Sequence, residues 1–344
     1  MRLTLRLGIG LLALVSWITP VAARAETIYA VTSTNLLLTF DSATPGTAAS
    51  VAITGLQAGE NVVGIDLRPA TGQLYALGST SRLYTINTAT GVATAVDGPF
   101  SPALSGTAFG FDFNPVVDRI RVVSDVGQNF RLNPDTGTVA GTDTNLSFAP
   151  SDPNFKVSPH VVASAYTNNF AGATSTTLFG IDSNLDIGVV QGSPGGTPVS
   201  PNTGQLTSLL PLGVNTADAV GFDFSGVTGV GYVSLTPVTG AASSLYTVGA
   251  QNVVLIGLIG TGFVVTDITV GVQGVPPTPT PSATASPTST PTTPPTTPTA
   301  TATNPVGGGP SPPVPTLSGW AMAGFALVLG VLGFLLTRSG AGSS

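Results

Sequence analysis

The chain of 344 residues contains no cysteine and one histidine, His160. The missing cysteines exclude disulfide bonds, a thiol nucleophile and thiolate metal sites. One histidine cannot supply the two imidazole ligands of a two-His metal site, and it leaves a Ser-His-Asp triad with a single candidate base. We therefore expect no metal site and no cofactor, and we expect His160 to have a structural hydrogen-bonding role.

Charged residues are also scarce. They make up 8% of the sequence, whereas ordinary soluble proteins contain about 25%. The formal net charge is -6, and the six basic residues between Arg68 and Lys156 are too dispersed to form a patch. Because nucleic-acid binding depends on clustered positive charge, nucleic acid is not an expected partner.

Residues 1–25 have the composition of a targeting segment. Two arginines come before the short apolar run Leu7–Ile18, and Ala23 and Ala25 form an A-x-A cleavage site. These three features predict a secretory signal peptide that signal peptidase cuts after Ala25.

Residues 272–313 form a Pro/Thr/Gly-rich linker. Its longest biased stretch, Pro276–Pro305, has no charged residue and no large apolar residue. Such a segment cannot bury a core, and its prolines favour extended conformations. We expect a disordered stalk that holds the preceding domain away from the membrane.

Residues 314–344 predict a hydrophobic C-terminal helix over 317–336, and its roughly 20 residues are enough to cross a bilayer once. The segment resembles the IPTL-CTERM sorting signal, with valine in place of the usual first isoleucine. The residues that carry the resemblance are Val314, Pro315, Thr316, Leu317, Ser318 and Trp320. The resemblance implies recognition by an exosortase-type membrane transpeptidase at the surface of a Gram-negative bacterium. The helix is then either a permanent membrane anchor or a tail that is removed.

Residues 26–271 contain an internal repeat that is rich in glycine, threonine and valine, a composition typical of short strands and tight turns. The opening runs GIDL, GFDF and GFDF begin at Gly64, Gly110 and Gly221. The first two starts are 46 residues apart, and four short strands in about 40–50 residues are typical of a propeller blade.

The two ends of the repeat region are complementary. The first unit lacks an opening strand, whereas Phe263–Val270 is an opening strand with no unit after it. If the two pair, the ring closes and its exposed sheet edges disappear. The sequence therefore predicts an all-β fold, a five-bladed β-propeller closed by the C-terminal strand, rather than an open β-sandwich.

The body also resembles a bacterial family of unknown function, the one numbered 4394 among such domains. The resemblance covers residues 28 to about 270, and the stretch GFDFNPVVDRIRVVSDVGQNFRLNPDTG at Gly110–Gly137 carries it. It implies the type of domain and no particular activity.

Three opening runs each contain one aspartate, at Asp66, Asp112 and Asp223, whereas the fourth unit has Ala165 at this place. Side chains alternate along a strand, so the three carboxyls occupy the same side of each blade. We expect them to lie between blades as structural groups, hydrogen-bonded to backbone N–H groups of a neighbouring turn. The alternative is a ring of catalytic acids at the propeller axis.

One hairpin is rich in arginine. Arg119 and Arg121 share a face of its first strand, and Asn129 and Arg131 share a face of the second. Because arginine presents a planar fork of donors, these residues could bind a carboxylate, a phosphate or a sugar acid. The alternative is an internal ion-pair network with neighbouring aspartates. The candidate partners are Asp112, Asp118 and Asp125.

Asp or Asn recurs at the end of third strands, at Asp41, Asn87, Asn133 and Asp182. These side chains commonly accept hydrogen bonds within turns, so we expect them to be turn residues.

Taken together, the pattern favours an exported, surface-displayed propeller with a non-enzymatic role in binding, adhesion or matrix organisation, and with cell-surface polysaccharide as a candidate partner. One alternative is a glycan-acting hydrolase or lyase that uses the axial carboxylates. Another is a purely structural surface protein.

Overall fold

A computed structural model of the protein describes residues 25–240, 242–249 and 252–271. The predicted signal segment up to residue 24, the linker, the sorting motif and the hydrophobic helix lie outside the described residues. Within the described ranges, no helix is long and apolar enough to cross a membrane.

The described residues form five sheets, which we number as blades in chain order. Each contains four antiparallel strands, and one sheet has an additional short parallel strand at its edge. Blade 1 contains β1 (Thr27–Thr32), β2 (Leu36–Asp41) and β3 (Ala49–Ala52). Blade 2 contains β4 (Val62–Leu67), β5 (Leu74–Gly78), β6 (Arg82–Ile86) and β7 (Ala93–Ala95). Blade 3 contains β8 (Phe109–Asn114), β9 (Arg119–Ser124), β10 (Asn129–Leu132) and β11 (Val139–Thr142).

The second half of the chain completes the ring. A short strand β12 (Ser147–Phe148) precedes blade 4, which contains β13 (Val161–Tyr166), β14 (Leu178–Asp182), β15 (Ile187–Gln191) and β16 (Gln205–Pro211). Blade 5 contains β17 (Thr216–Phe224), β18 (Gly231–Pro237), β19 (Ser244–Val248) and β20 (Val253–Leu258). The last strand is β21 (Val265–Val270).

The last strand closes the propeller. It pairs antiparallel with β1 in the register Ile28 opposite Val270, so blade 1 takes its innermost strand from the C-terminal end of the domain. The prediction of a five-bladed propeller closed in this way is confirmed. The inner strands β21, β4, β8, β13 and β17 each contact the next, and β17 returns to β21.

The hydrophobic core lies between the blades. Between blades 2 and 3, for example, Tyr75 and Leu77 pack with Phe111 and Phe113, and the rings of Tyr75 and Phe113 meet edge to face with centroids 5.2 Å apart. Because both faces of a blade are covered by its neighbours, an inner strand such as β13 is buried along its whole length. This burial explains why the inner strands read as nearly continuous apolar runs.

The glycine of the GFDF run allows neighbouring inner strands to approach closely. A Cβ placed on Gly221 would lie 2.4 Å from the backbone nitrogen of Ile268 in the closing strand. Any larger residue would force β17 and β21 apart, so glycine is required here for close backbone packing.

The N-terminal end of the domain is fixed to blade 5. Glu26 is buried, and its carboxylate accepts hydrogen bonds from the hydroxyl groups of Ser225, Thr228 and Tyr232. Its backbone nitrogen donates to Ser42 Oγ at 3.0 Å. Blade 5 is therefore joined to both ends of the domain, through Glu26 and through β21.

Blade 4 departs from the regular pattern. The strand β12, which the repeat did not predict, adds to its outer edge parallel to β16. Between β15 and β16, the chain forms two short 3-10 turns, Pro194–Gly196 and Pro201–Thr203. This insertion brings Asn202 towards blade 3, where it contributes to the polar cleft that is described below.

Candidate functional sites

Three inner strands bring Asp66, Asp112 and Asp223 together at the propeller axis. One carboxylate oxygen from each lies within 4.8 Å of the others. The register is equivalent in the three blades, because the aspartates stand opposite residues at the same position of the second strand. Their partners are Tyr75, Arg121 and Tyr232. The side chains are at most 1% exposed. We call these three residues the axial acids.

Each axial acid accepts a hydrogen bond from a backbone N–H of the next blade. The donors belong to the inner strand of that blade, not to a neighbouring turn as the sequence suggested, because adjacent inner strands pack side by side around the axis. The three donor–acceptor pairs are Phe113 N to Asp66 Oδ2 at 2.7 Å, Tyr166 N to Asp112 Oδ1 at 2.9 Å, and Val270 N to Asp223 Oδ2 at 2.6 Å.

The closing strand supplies Thr269 at the position of the aspartate. Thr269 stands opposite Tyr29, and its hydroxyl lies 2.8 Å from Asp66 Oδ1 and 3.0 Å from Asp223 Oδ2. The same hydroxyl accepts the backbone N–H of Leu67 at 3.2 Å. Thr269 thus continues the ring of side chain to backbone contacts where blade 1 has threonine in place of the aspartate.

The inner strands carry a fourth buried acid, Asp267, which the sequence pattern did not predict. It lies two residues before Thr269, at the register where blades 2, 3 and 5 have glycine, and it accepts the backbone N–H of Ile65 at 2.8 Å. The signal was present in the closing run VTDITV. Asp267 does not follow the Gly-x-Asp spacing of the other runs, so the repeat does not indicate it.

Burial raises the pKa of all four acids. For Asp112, the negative charges of Asp66 and Asp223 add to the effect of burial, and for Asp66 the charge of Asp223 does so. Burial raises the pKa of Asp223 to about 7, although hydrogen bonds from Val270 and Thr269 oppose the shift. Burial also raises the pKa of Asp267. None of the ion pairs within the described residues involves these acids.

The axial acids are closed off from the cavity at the start of the inner strands. A cavity of about 160 Å³ lies at the mouth of the axial channel, where the inner strands begin. One residue from each inner strand lines it: Val63, Phe109, Val162, Ala219 and Thr266. At about 3.3 Å per residue, the carboxyls lie roughly 10 Å deeper along the strands. The acids therefore converge, but a large substrate cannot reach them from this mouth.

At the rim of this cavity, Asp218 accepts a hydrogen bond from Ser183 Oγ at 2.7 Å, and His160 Nε2 lies 3.1 Å from the same carboxylate oxygen. A serine hydrolase needs histidine between the serine and the aspartate. Here the aspartate is in the middle, so His160 cannot take the proton of Ser183. The contact links blade 4 to blade 5.

The arginine-rich hairpin forms a second site, in which Asp143 binds two guanidinium groups. Arg121 donates to Asp143 Oδ2 at 2.5 Å, and Arg131 donates to both carboxylate oxygens, each at 2.9 Å. Arg121 is 2% exposed, whereas Arg131 is 29% exposed. Arg121 also donates to the side chains of Asn129, Tyr166 and Asn202.

The internal network therefore uses a different acid from those proposed on the sequence. Asp118 binds Arg68 instead, and Asp125 accepts hydrogen bonds from Thr107. Asp112 belongs to the axial acids. Asp143 lies just after β11 and had no distinguishing sequence signal.

A polar cleft of about 270 Å³ opens beside this network, between blades 3 and 4. Its lining includes Asn114, Arg121, Arg131, Tyr166, Thr176 and Asn202. Asn129 lies behind Arg121 and is fully buried. Arg119 is not part of the lining, and its Nη1 donates to the backbone oxygen of Asp118 at 2.7 Å.

The four recurrent Asp and Asn residues lie in turns. Asp41, Asn87, Asn133 and Asp182 each accept a backbone N–H two or three residues later. After Asn87 and Asn133, Gly91 and Gly137 have φ of 71° and 65°. These contacts are typical of turns, and they use a side-chain oxygen of each of the four residues.

The fold and these sites define the class of protein: a five-bladed β-propeller with acids enclosed at its axis and a basic cleft between two blades. The family described as "Domain of unknown function (DUF4394)" matches residues 36–269. The chain belongs to this family. A comparison with curated proteins gives no match.

Several solved structures are similar to the chain. A protein of unknown function from Bacteroides thetaiotaomicron VPI-5482 has 15% identity and a TM-score of 0.40, with 72% of this chain and 65% of that chain covered. PorZ, a surface component of the type-IX secretion system of Porphyromonas gingivalis, has 13% identity and a TM-score of 0.33, with 68% and 28% covered. Glutaminyl cyclase from Myxococcus xanthus has 10% identity and a TM-score of 0.33, with 60% and 88% covered. The chain thus spans 65% of the first of these proteins, and none of these likenesses bears on function.

Proposed function

We propose that the protein is exported, is displayed at the cell surface and binds an acidic polysaccharide without catalysing a reaction. The observation that carries this proposal is the partly exposed guanidinium of Arg131 in the cleft between blades 3 and 4. The sequence features of the two ends support display, since a signal peptide, an extended stalk and a sorting tail together deliver a domain to the surface.

The hydrogen bonds of the cleft indicate different roles for its two arginines. Every guanidinium nitrogen of Arg121 donates to a side chain of the protein, so the role of Arg121 is to hold the cleft together. Asp143 engages Nε and Nη2 of Arg131. Within the described residues, Nη1 of Arg131 has no hydrogen-bond partner. This edge of the guanidinium is therefore free for a ligand.

The charge and the lining of the cleft support a sugar acid as the ligand. Two guanidinium groups around the single carboxylate of Asp143 leave one net positive charge. Arginine binds carboxylates well because its planar donors match their geometry. The remaining lining includes hydroxyl and amide groups of Ser175, Thr176 and Asn202, which suit the hydroxyl groups of a glycan.

Two features argue against the hydrolase alternative. A glycosidase needs two carboxyl groups that flank the scissile bond. Among the described residues that line the cleft there is no aspartate or glutamate. The axial acids are close enough to one another, but they are buried below the channel mouth, where a polysaccharide does not fit.

Binding of the purified protein to polygalacturonate and to uncharged dextran tests the proposal. We expect retention by polygalacturonate only, and we expect Arg131→Gln to weaken it at least about tenfold, since a charge-assisted bond contributes about 1.5–3 kcal/mol. Arg119→Gln is the matched control, because Arg119 lies outside the cleft. Thermal unfolding of both variants checks that the fold is intact. Release of reducing ends would favour the hydrolase, and absence of binding to any glycan would favour the purely structural alternative.

A further inference from the structure

We propose that the axial acids Asp66, Asp112 and Asp223 bind a divalent cation, for which Ca²⁺ has the best fit. The proposal does not depend on the proposed function, although Tyr166 contributes to both sites, through its backbone N–H to Asp112 and as part of the cleft lining. The proposal rests on the spacing of the carboxylate oxygens, on a buried amide that contacts Asp223 and has an unpartnered oxygen, and on the charge of the cluster.

The spacing of the three oxygens matches a calcium coordination sphere. They all lie within 4.8 Å of one another. Ca²⁺ binds oxygen ligands at about 2.3–2.6 Å, so two ligands on opposite sides of the ion are about 5 Å apart. An ion between the three carboxylates therefore needs no large movement of the inner strands. Mg²⁺ requires about 2.0–2.1 Å and near-ideal octahedral geometry, whereas Ca²⁺ accepts irregular sets of oxygen ligands. Ca²⁺ therefore suits acids that are held on packed inner strands better than Mg²⁺ does.

Asn169 provides the independent observation. It follows β13, the inner strand that has Ala165 in place of an axial acid, and it is 5% exposed. Its Nδ2 lies 3.0 Å from Asp223 Oδ1, and its Oδ1 has no hydrogen-bond partner within the described residues. Such an orphaned buried oxygen is costly. When an ion is bound, rotation of the amide by about 180° would place Oδ1 beside Asp223, where a carbonyl oxygen can ligate Ca²⁺. The rotation gives up the bond from Nδ2 to Asp223, so it is favourable only with the cation in place.

The negative charges of the three carboxylates also favour a bound cation. The hydroxyl of Thr269 has a single hydrogen, and the carboxylates of Asp66 and Asp223 both lie within hydrogen-bond distance of it. Backbone N–H groups already point at all three acids and favour their ionised forms. Three buried carboxylates that have no Lys or Arg partner in the described part of the chain are strongly unfavourable unless a cation is bound or protons are taken up.

The channel mouth offers a route of entry. The cavity there is on the same axis, and the exposed carboxylate of Asp218 stands at its rim. A small ion needs only local opening between the inner strands to move from this cavity to the acids. A sugar ring would need much more space. This route therefore admits a small ion and excludes a sugar.

Metal content and thermal unfolding of the full-length protein test the proposal. We expect calcium in the purified protein by elemental analysis. After treatment with EDTA and dialysis, we expect CaCl₂ to raise the Tm by at least about 5 °C, because an ion that binds only the folded state stabilises it. MgCl₂ should raise it less. Isothermal titration with CaCl₂ alone should show one site.

Asp112→Asn should abolish the effect of CaCl₂ on the Tm, and the control Asp97→Asn, at an exposed carboxylate outside the site, should retain it. If Asp112→Asn does not fold, the titration of the wild type decides. A wild-type Tm that is the same in EDTA and in millimolar CaCl₂ would overturn the proposal. A Tm that changes with pH but not with CaCl₂ would show that the acids share protons instead, and would overturn it as well.

Discussion

The carboxylate of Asp223 in blade 5 accepts the backbone N–H of Val270 in the closing strand at 2.6 Å. The two residues are 47 positions apart in the sequence, and they meet where the last blade joins the strand that completes blade 1. This hydrogen bond is one of the repeated contacts by which an aspartate of one inner strand holds the backbone of the next.

Asp223→Asn should lower the free energy of unfolding by about 1.5–3 kcal/mol, the usual contribution of a hydrogen bond to a charged group. An amide has one acceptor oxygen, whereas the carboxylate accepts from Val270, Phe224, Thr269 and Asn169. Urea unfolding at pH 8 measures the change. Asp97→Asn should leave the free energy nearly unchanged, because Asp97 is exposed and has no hydrogen bond within the described residues. Equal stability of the wild type and Asp223→Asn would mean that the closing contact is not structural.

Gly221→Ala should destabilise the domain by about 1–3 kcal/mol or more, because overpacking forces backbone shifts. The new methyl group would lie 2.4 Å from the nitrogen of Ile268. Gly98→Ala is the matched control, since a Cβ there meets no atom within 4 Å. Thermal unfolding of the two variants compares them. A Tm of Gly221→Ala equal to that of the control would contradict the close approach of β17 and β21.

Arg121→Ala should cost about 3–5 kcal/mol, the usual effect of removing one partner from a buried ion pair. Asp143 would lose one of its two guanidinium partners, and Asn202 would lose the donor that ties the insertion of blade 4 to blade 3. Arg119→Ala should cost clearly less, because Arg119 is only half-buried and the one hydrogen bond of its side chain within the described residues is to the backbone oxygen of Asp118. Similar losses in the two variants, measured by urea unfolding, would show that Asp143 does not depend on Arg121.

The stability of the metal-free protein should fall as the pH rises. Burial raises the pKa of Asp223 to about 7 and raises the pKa values of Asp66, Asp112 and Asp267. The folded state therefore retains protons that the unfolded state has lost above about pH 4. Since the folded state binds more protons, stability decreases with pH through this range, up to about 7 for Asp223. The Tm in EDTA at pH 5, 6, 7 and 8 checks the trend. A Tm that increases over this range would contradict it.

Much of the fold could be predicted because it depends on local repetition. The Gly-x-Asp runs at Gly64, Gly110 and Gly221 recur at corresponding places, and the alternation along each run indicates an inner strand. The missing opening strand at one end and the extra strand at the other indicated ring closure. The strand β12 could not be predicted, because a two-residue strand forms only where a neighbouring edge is available to pair with it.

The sites were predictable only in part. The equivalence of Asp66, Asp112 and Asp223 follows from the repeat. The contacts with Thr269 and Asn169 do not, because these residues share neither spacing nor neighbours with the acids in the sequence. For the same reason, Asp143 and Asn202 could not be assigned as partners of Arg121. Asp143 meets Arg121 within blade 3, just after β11, whereas Asn202 meets it because the insertion in blade 4 folds back against blade 3.

The amino-acid sequence by itself determined the number of blades, the strand that closes them and the position of one acid in each of three inner strands, since these depend on periodicity along the chain. Only the tertiary structure decided that the acids converge within 4.8 Å of one another, that they are enclosed, and that Arg121 and Arg131 share Asp143. These properties depend on the curvature of the ring and on the packing of neighbouring blades, which set distances between residues that are far apart in the chain.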